Sequence, residues 1–223
     1  VDMIETNGYW ATDEEIIRKR LRILDEIGLN RLKISWDLFH AEFIDPECVR
    51  RLYRVAQEVL GKERVQVRWE HYLHHPVKIS TLEEPQKLER FQQALNQFPC
   101  RFTGRAGETL AAFKANDTIT ALSHKTCTAS FLSAKGVHID PFGNVFSGQC
   151  SGIMLGNVNE TPLDVIWEEF DPRKCEVIQT LFARGPAALA RRAMQAGYRP
   201  LEKYAGKCHL CTHVRQFFFD KNL

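Results

Sequence analysis

Four of the seven cysteines, Cys127, Cys150, Cys208 and Cys211, stand in stretches that make them look like the ligands of one metal centre. Cys127 and Cys150 flank a segment that reads as a hairpin, and Cys208 and Cys211 form a CxxC close to the C-terminus. Four thiolates complete a structural Zn²⁺ site or an iron–sulfur site equally well. Donor softness does not separate the two metals, so the choice falls to the sequence around the ligands. His213, just beyond the CxxC, offers a further option as the histidine of a Cys₃His zinc site. Cys48 and Cys175 fall in predicted helices, where free cysteine behaves as a small buried hydrophobe, and Cys100 stands at a predicted strand entrance. None of these three is read as a ligand. His71, His74 and His75 cluster before Pro76, but no carboxylate-and-histidine helix spacing supports ligation, and they read as a solvated loop.

The elements that would position these groups follow from local pattern. Through about residue 106, strands alternate with helices. Thr12 and Glu15 form a capping box for a helix that places Ile17, Leu21 and Leu24 on one face and stops at Gly28. Leu32, Ile34 and Trp36 alternate as a strand. Asp45 and Pro46 open a second helix with Val49, Leu52, Val55 and Val59 inward and Gly61 at its end. Residues 65–69 form the next strand, and Ser80 with Glu83 cap a helix carrying Leu88, Phe91, Leu95 and Phe98. Such alternation predicts parallel strands joined by right-handed crossovers. In parallel sheets ligands sit at the carboxyl ends of the strands, where Thr6, Asn7, Ser35, Asp37 and Arg68 lie; the plain alternative is that Asp37 and Asn7 cap loops. Farther on, Ile139-Asp-Pro-Phe-Gly-Asn-Val-Phe146 reads as strand, turn, strand, and Thr161 is a candidate N-cap with Pro162 at the first helical position. Residues 171–206 read as an amphipathic helix that returns the chain to Cys208, with Arg191 and Arg192 on a solvated face.

The order of these pieces carries a resemblance. The hairpin ending on Cys150, the Leu155-Gly-Asn-Val158 step, the Thr161-Pro-Leu-Asp-Val-Ile-Trp167 helix and the late CxxC resemble the SPASM or twitch auxiliary-cluster extension of radical S-adenosylmethionine enzymes. One cluster's worth of ligands fits the shorter twitch form, although the interval from Gly143 to Cys150 is longer than the usual one. Ile4-Glu-Thr-Asn-Gly8 and Leu32-Lys-Ile-Ser-Trp-Asp37 resemble the third and fourth strands of the radical enzyme core, and Gly104-Arg-Ala106 its exit segment.

The resemblance implies a partial (β/α) barrel lacking its first strand–helix units over residues 1–106, a linker over 107–125, and a small α+β auxiliary-cluster domain over 126–223. It implies an auxiliary [4Fe–4S] cluster on Cys127, Cys150, Cys208 and Cys211, used for electron relay or substrate anchoring, with zinc as the alternative metal. Thr6, Asn7, Ser35, Asp37 and Arg68 would line the cavity for S-adenosylmethionine and a peptide or small-molecule substrate. The family's catalytic CxxxCxxC is missing from this sequence, so S-adenosylmethionine and a second [4Fe–4S] cluster belong to the complete parent, of which this chain reads as the C-terminal portion. An edge at Val1 would then pair with the missing N-terminal barrel segment or with a second copy. The contrasting reading is a non-catalytic metal-binding interaction module.

Composition sets outer bounds. With 223 residues, 44% of them hydrophobic, the chain can bury the core of one large or two modest domains. A formal charge of +2 gives no electrostatic argument for nucleic acid or a membrane surface as partner. No apolar run approaches the ~20 residues of a membrane span, and no signal-peptide pattern is present. An odd cysteine count without a dense disulfide framework points to a reducing compartment, the cytoplasm.

Overall fold

The computed structural model describes residues 2–75, 77–98, 100–132, 136–148, 150 and 152–222. Of the pairing edge expected over residues 1–4, Val1 lies outside the described residues. The chain divides into two compact units, Val1–Pro99 and Cys100–Leu223.

In the first unit, β1 (Met3–Thr6), α1 (Glu14–Glu26), β2 (Arg31–Ser35), α2 (Pro46–Leu60), β3 (Val65–Arg68), α3 (His71–His74) and α4 (Glu84–Gln97) follow in order. The strands form a parallel sheet, β1-β2-β3, in register Ile4↔Leu32 and Ile34↔Val67. Leu32, Ile34, Trp36, Val65 and Val67 pack on Ile17 and Leu21 of α1 and on Val49, Leu52 and Val55 of α2. The period of two leaves Glu5, Lys33, Ser35, Gln66 and Arg68 on the other face, partly or fully exposed. Parallel sheets are ordinarily apolar on both faces; this one is apolar on the helix-covered face alone.

Two helix starts and one helix face differ from expectation. Asp13, not Thr12, caps α1, because its extended backbone lets Oδ1 accept from Glu15 N and Ile16 N at 2.8 and 3.1 Å. Glu83 forms its capping box with Gln86, while Ser80 belongs to a preceding 3₁₀ turn, Ile79–Thr81. Leu88 is exposed; Ala94 joins Phe91 and Leu95 in the buried stripe instead.

The second unit contains α5 (Arg105–Thr109), α6 (Thr128–Leu132), β4 (Val137–Ile139), β5 (Asn144–Ser147), β6 (Met154–Asn157), α7 (Leu163–Glu168), α8 (Glu176–Gln195) and α9 (Lys207–Asp220). Residues 101–103 are irregular, without the strand expected near Cys100. Residues 107–125, read from sequence as a linker, carry buried Leu110 and Leu122, and Asp117 pairs with Tyr204 through backbone hydrogen bonds of 3.0 and 2.7 Å.

The β4–β5 hairpin turns where Asp140 Oδ1 accepts from Phe142 N and Asn144 N, both at 2.9 Å, with Gly143 at φ 85°. β6 adds antiparallel to β5. Pro162, with no side-chain hydrogen bond, occupies the cap of α7 in place of the expected Thr161, whose N donates to Asn157 O at 3.0 Å.

The helix expected across 171–206 is shorter and broken. Gly185 (φ 73°, ψ −178°) splits α8, and Pro186 starts its second half. The carbonyls freed by the break are taken up by the 126–128 loop: Cys127 N donates to Leu181 O at 3.0 Å and Thr128 Oγ1 to Phe182 O at 2.8 Å. A side chain at 185 would put its Cβ 1.9 Å from Lys125 O, so the break and the loop that carries Cys127 require each other. Arg191 and Arg192 are exposed, Arg192 pairing with Glu176 at 2.6 Å. Among the described residues no helix is long and apolar enough to cross a membrane.

Candidate metal centre

Three segments of the second unit bring the cysteines together. Cys127 leads into α6 and is buried. Cys150 follows β5, whose last residue, the buried Ser147, donates through Oγ to Ser130 O and Phe131 O at 3.0 and 3.2 Å and so ties the strand's end to α6. Cys208 and Cys211 occupy the first turn of α9, three residues apart and therefore on one face. Lys207 Nζ reaches Thr126 O at 2.7 Å and clasps the start of α9 to the Cys127 loop.

All four sulfur-bearing residues line one cavity of about 280 Å³, whose wall also holds Arg101, Lys207 and Arg215. Burial pushes the Cys127 thiol up to about 12; Lys207 opposes this, and the other three cysteines add to it. Burial also raises Cys150, with Cys208 adding and Arg101 and Arg215 opposing. Cys211 is raised by burial, against the charge and hydrogen bond of Arg215. The shifts share one cause: burial disfavours the thiolate form, and thiolates gathered here would repel one another, two penalties that a positive centre among them would relieve.

The donor set fits a centre held by four thiolates, and three nearby cations offset its negative charge. A single zinc ion would need the sulfurs about 3.8 Å apart, from Zn–S bonds of about 2.3 Å in a tetrahedron. Among the described residues no three His, Cys, Asp or Glu side chains form a group ready to hold one metal ion. The thiols surround a space rather than a point. Among the described residues no disulfide joins any of the cysteines.

The remaining candidates fall elsewhere. His213 Nε2 lies 3.0 Å from His209 Nε2, His209 Nδ1 accepts from Ala205 N at 3.2 Å, and both rings pack edge-on against Tyr204. Burial holds both imidazoles below their ordinary value, His209 further so because of His213. Cys48 is half-buried against the first core, as expected. Cys175 is exposed at the cap of α8 rather than buried within a helix. His71 stacks with Tyr72 and Phe98, and His74 faces Glu70 at 3.4 Å on the short α3.

In the first unit, Thr6, Asn7 and Ser35 line a polar cavity of about 390 Å³ together with Glu5 and His40. Ser35 Oγ donates to Glu5, and Lys33 Nζ lies 3.3 Å from the same carboxylate. Burial pushes Glu5 up, but the bonds from Ser35 and Lys33 and the charges of Lys33 and Arg68 outweigh it and hold the carboxyl below its usual range. Thr6 Oγ1 accepts from Gly8 N and Trp10 Nε1 at 3.2 and 2.9 Å, and Asn7 Oδ1 from Tyr9 N at 3.3 Å. Asp37 Oδ1 takes His40 N and Nδ1 at 2.9 and 2.7 Å, which is a loop-capping role. Arg68 lies over the Trp69 ring at 4.3 Å, with Trp69 in left-handed backbone at φ 60°.

Sequence reasoning did not single out Glu5, His40, Arg101, Lys207 or Arg215. Two had a signal: Lys207 adjoins the CxxC, and Arg215 follows Cys211 by one helical turn. No family model matches this chain and no curated protein matches it, so the chemistry of the site rests on its own residues.

Proposed function

We propose that the second unit binds a [4Fe–4S] cluster through Cys127, Cys150, Cys208 and Cys211, and that the chain is the auxiliary-cluster portion of a cytoplasmic radical S-adenosylmethionine enzyme. One observation carries the reading: four thiols from three separate segments line a single cavity with three cations beside them. When bound, such a cluster supplies one-electron transfer or an iron for a substrate to ligate. The chain's own residues supply the rest. Cys127 is placed by the break in α8, Cys208 and Cys211 by the first turn of α9, and Cys150 by the end of β5. Lys207 fastens two of these segments together, and Arg101, Lys207 and Arg215 balance charge.

In the same reading the polar cavity of the first unit, at the carboxyl ends of β1 and β2, receives S-adenosylmethionine and a peptide or small-molecule substrate in the complete parent. Thr6, Asn7 and Ser35 would face that ligand, with Asp37 and Arg68 shaping the adjoining loops. In this reading a further segment of the parent, or a second copy, would pair along β1.

Anaerobic reconstitution of the full chain with iron and sulfide, followed by iron, acid-labile sulfide and zinc analysis, tests the proposal. Stoichiometric iron and sulfide with broad absorption in the blue, lost in Cys150→Ala and Cys208→Ala, is the expected result. Zinc retained in preference to iron after equal exposure to both would identify a structural zinc module instead. Binding of neither metal by folded wild-type chain would remove the metal-centre reading.

A further inference from the structure

We infer that Arg215, in the wall of the four-cysteine cavity between the Cys150 loop and α9, sets the reduction potential of the centre which that cavity binds. The inference rests on the cluster reading above. Arg215 follows Cys208 by seven residues and Cys211 by four, so α9 presents all three on one face. Arg215 lines the cavity together with Cys150, Cys208 and Cys211. Its Nε is shut off from solvent.

An independent feature of the backbone agrees. Gly152, two residues past Cys150, has φ 78°, and a Cβ placed there would stand 2.9 Å from Arg215 Nη1. The turn after Cys150 is therefore shaped to admit a planar cation, which spans from the Cys150 loop to the Cys211 helix.

The other two cations are held differently. Lys207 spends a hydrogen bond on Thr126 O, and Arg101 is exposed, where water and salt screen its charge. Arg215 lines the cavity with its Nε excluded from water, so its charge acts on the centre with less screening. A cation beside a ligating sulfur favours the reduced, more negative state, which raises the potential. Arginine suits the place better than lysine, because its rigid fork reaches two segments at once.

The test uses the full chain, reconstituted anaerobically as wild type, Arg215→Gln, Arg215→Lys and Gly152→Ala, with iron and sulfide content and a redox titration measured for each. In its iron-loaded form Arg215→Gln should show at least a tenfold lower reduced-to-oxidised ratio at the wild-type midpoint, which is about 59 mV for a one-electron couple. Arg215→Lys should restore part of that shift, and Gly152→Ala, which displaces the guanidinium without removing it, should lower the midpoint as well. Full iron content with an unmoved midpoint in Arg215→Gln overturns the inference and leaves the cluster reading intact. Wild type that takes up no iron overturns both. If Arg215→Gln fails to assemble, the Lys variant decides: a lowered midpoint supports the inference, and a wild-type midpoint overturns it.

Discussion

The two cavities of this chain solve opposite electrostatic problems. In the first unit each polar group already has a partner of opposite character: Glu5 has Ser35 and Lys33, and Asp37 has His40. That cavity is stable as it stands. In the second unit like groups are gathered, Cys127, Cys150, Cys208 and Cys211 around one space, and burial and mutual repulsion raise Cys127, Cys150 and Cys211 alike. Lys207, Arg101 and Arg215 relieve this only in part. The difference teaches what each cavity asks of a ligand: the first holds groups that satisfy one another, whereas the second gathers thiols whose ionised forms would repel, which is the feature that the proposed cluster would relieve.

The sharpest way to break the comparison is to add the metal. Reconstitution should raise the unfolding free energy of the second unit by about 4 kcal/mol at a thousandfold excess over Kd, and leave the first unit where it was. Hydrogen exchange resolved by segment reads both at once; equal protection gained at α2 and α9 would contradict it.

Next in size is Gly185→Ala. The backbone there lies in a region that only glycine occupies readily, and the added Cβ would meet Lys125 O. The variant should lose roughly 3 kcal/mol or more, measured by urea unfolding, together with its iron, because the loop bearing Cys127 is displaced. A stable variant with full iron content would show that the break in α8 does not position that cysteine.

On the other side of the comparison, Asp37→Ala removes the acceptor of two His40 hydrogen bonds and should cost about 1–2 kcal/mol in the first unit. Iron content of the second unit should not change. A parallel loss of iron would mean the two sites are coupled.

The smallest effect is Ser35→Ala. Glu5 is held below its ordinary value, so its contribution to stability is complete above the usual carboxylate range and is lost as the pH falls through the folded value. Without Ser35 the Glu5 carboxyl should titrate closer to its ordinary value, with stability at neutral pH lowered by a few tenths of a kcal/mol. Carboxyl NMR titration checks the direction; an unchanged titration would show that Lys33 and Arg68 alone hold the charge.

Periodicity carried most of the first unit. Leu32, Ile34 and Trp36 are buried as their alternation requires, and α2 runs from its Asp45–Pro46 start to Gly61 with the expected face inward. Cap positions were harder, because neighbouring Thr12 and Asp13, or Ser80 and Glu83, offer similar acceptors, and only the backbone angle selects between them. The sequence offers residues 107–125 as a linker, yet Leu110 and Leu122 are buried and Leu122 joins the second core.

What the sequence determined by itself was local: the alternation that makes one sheet face polar, the Asp140–Gly143 turn, and the pairing of Cys208 with Cys211 on one helical turn, all set by contacts within a few residues. What only the tertiary structure decided was every relation between distant segments. The Cys127 loop meets the break at Gly185, Lys207 reaches Thr126, and the Gly152 turn leaves room for Arg215. Those distances depend on how α8 and α9 pack, and a one-dimensional pattern carries side-chain type and spacing but not the approach of two backbones.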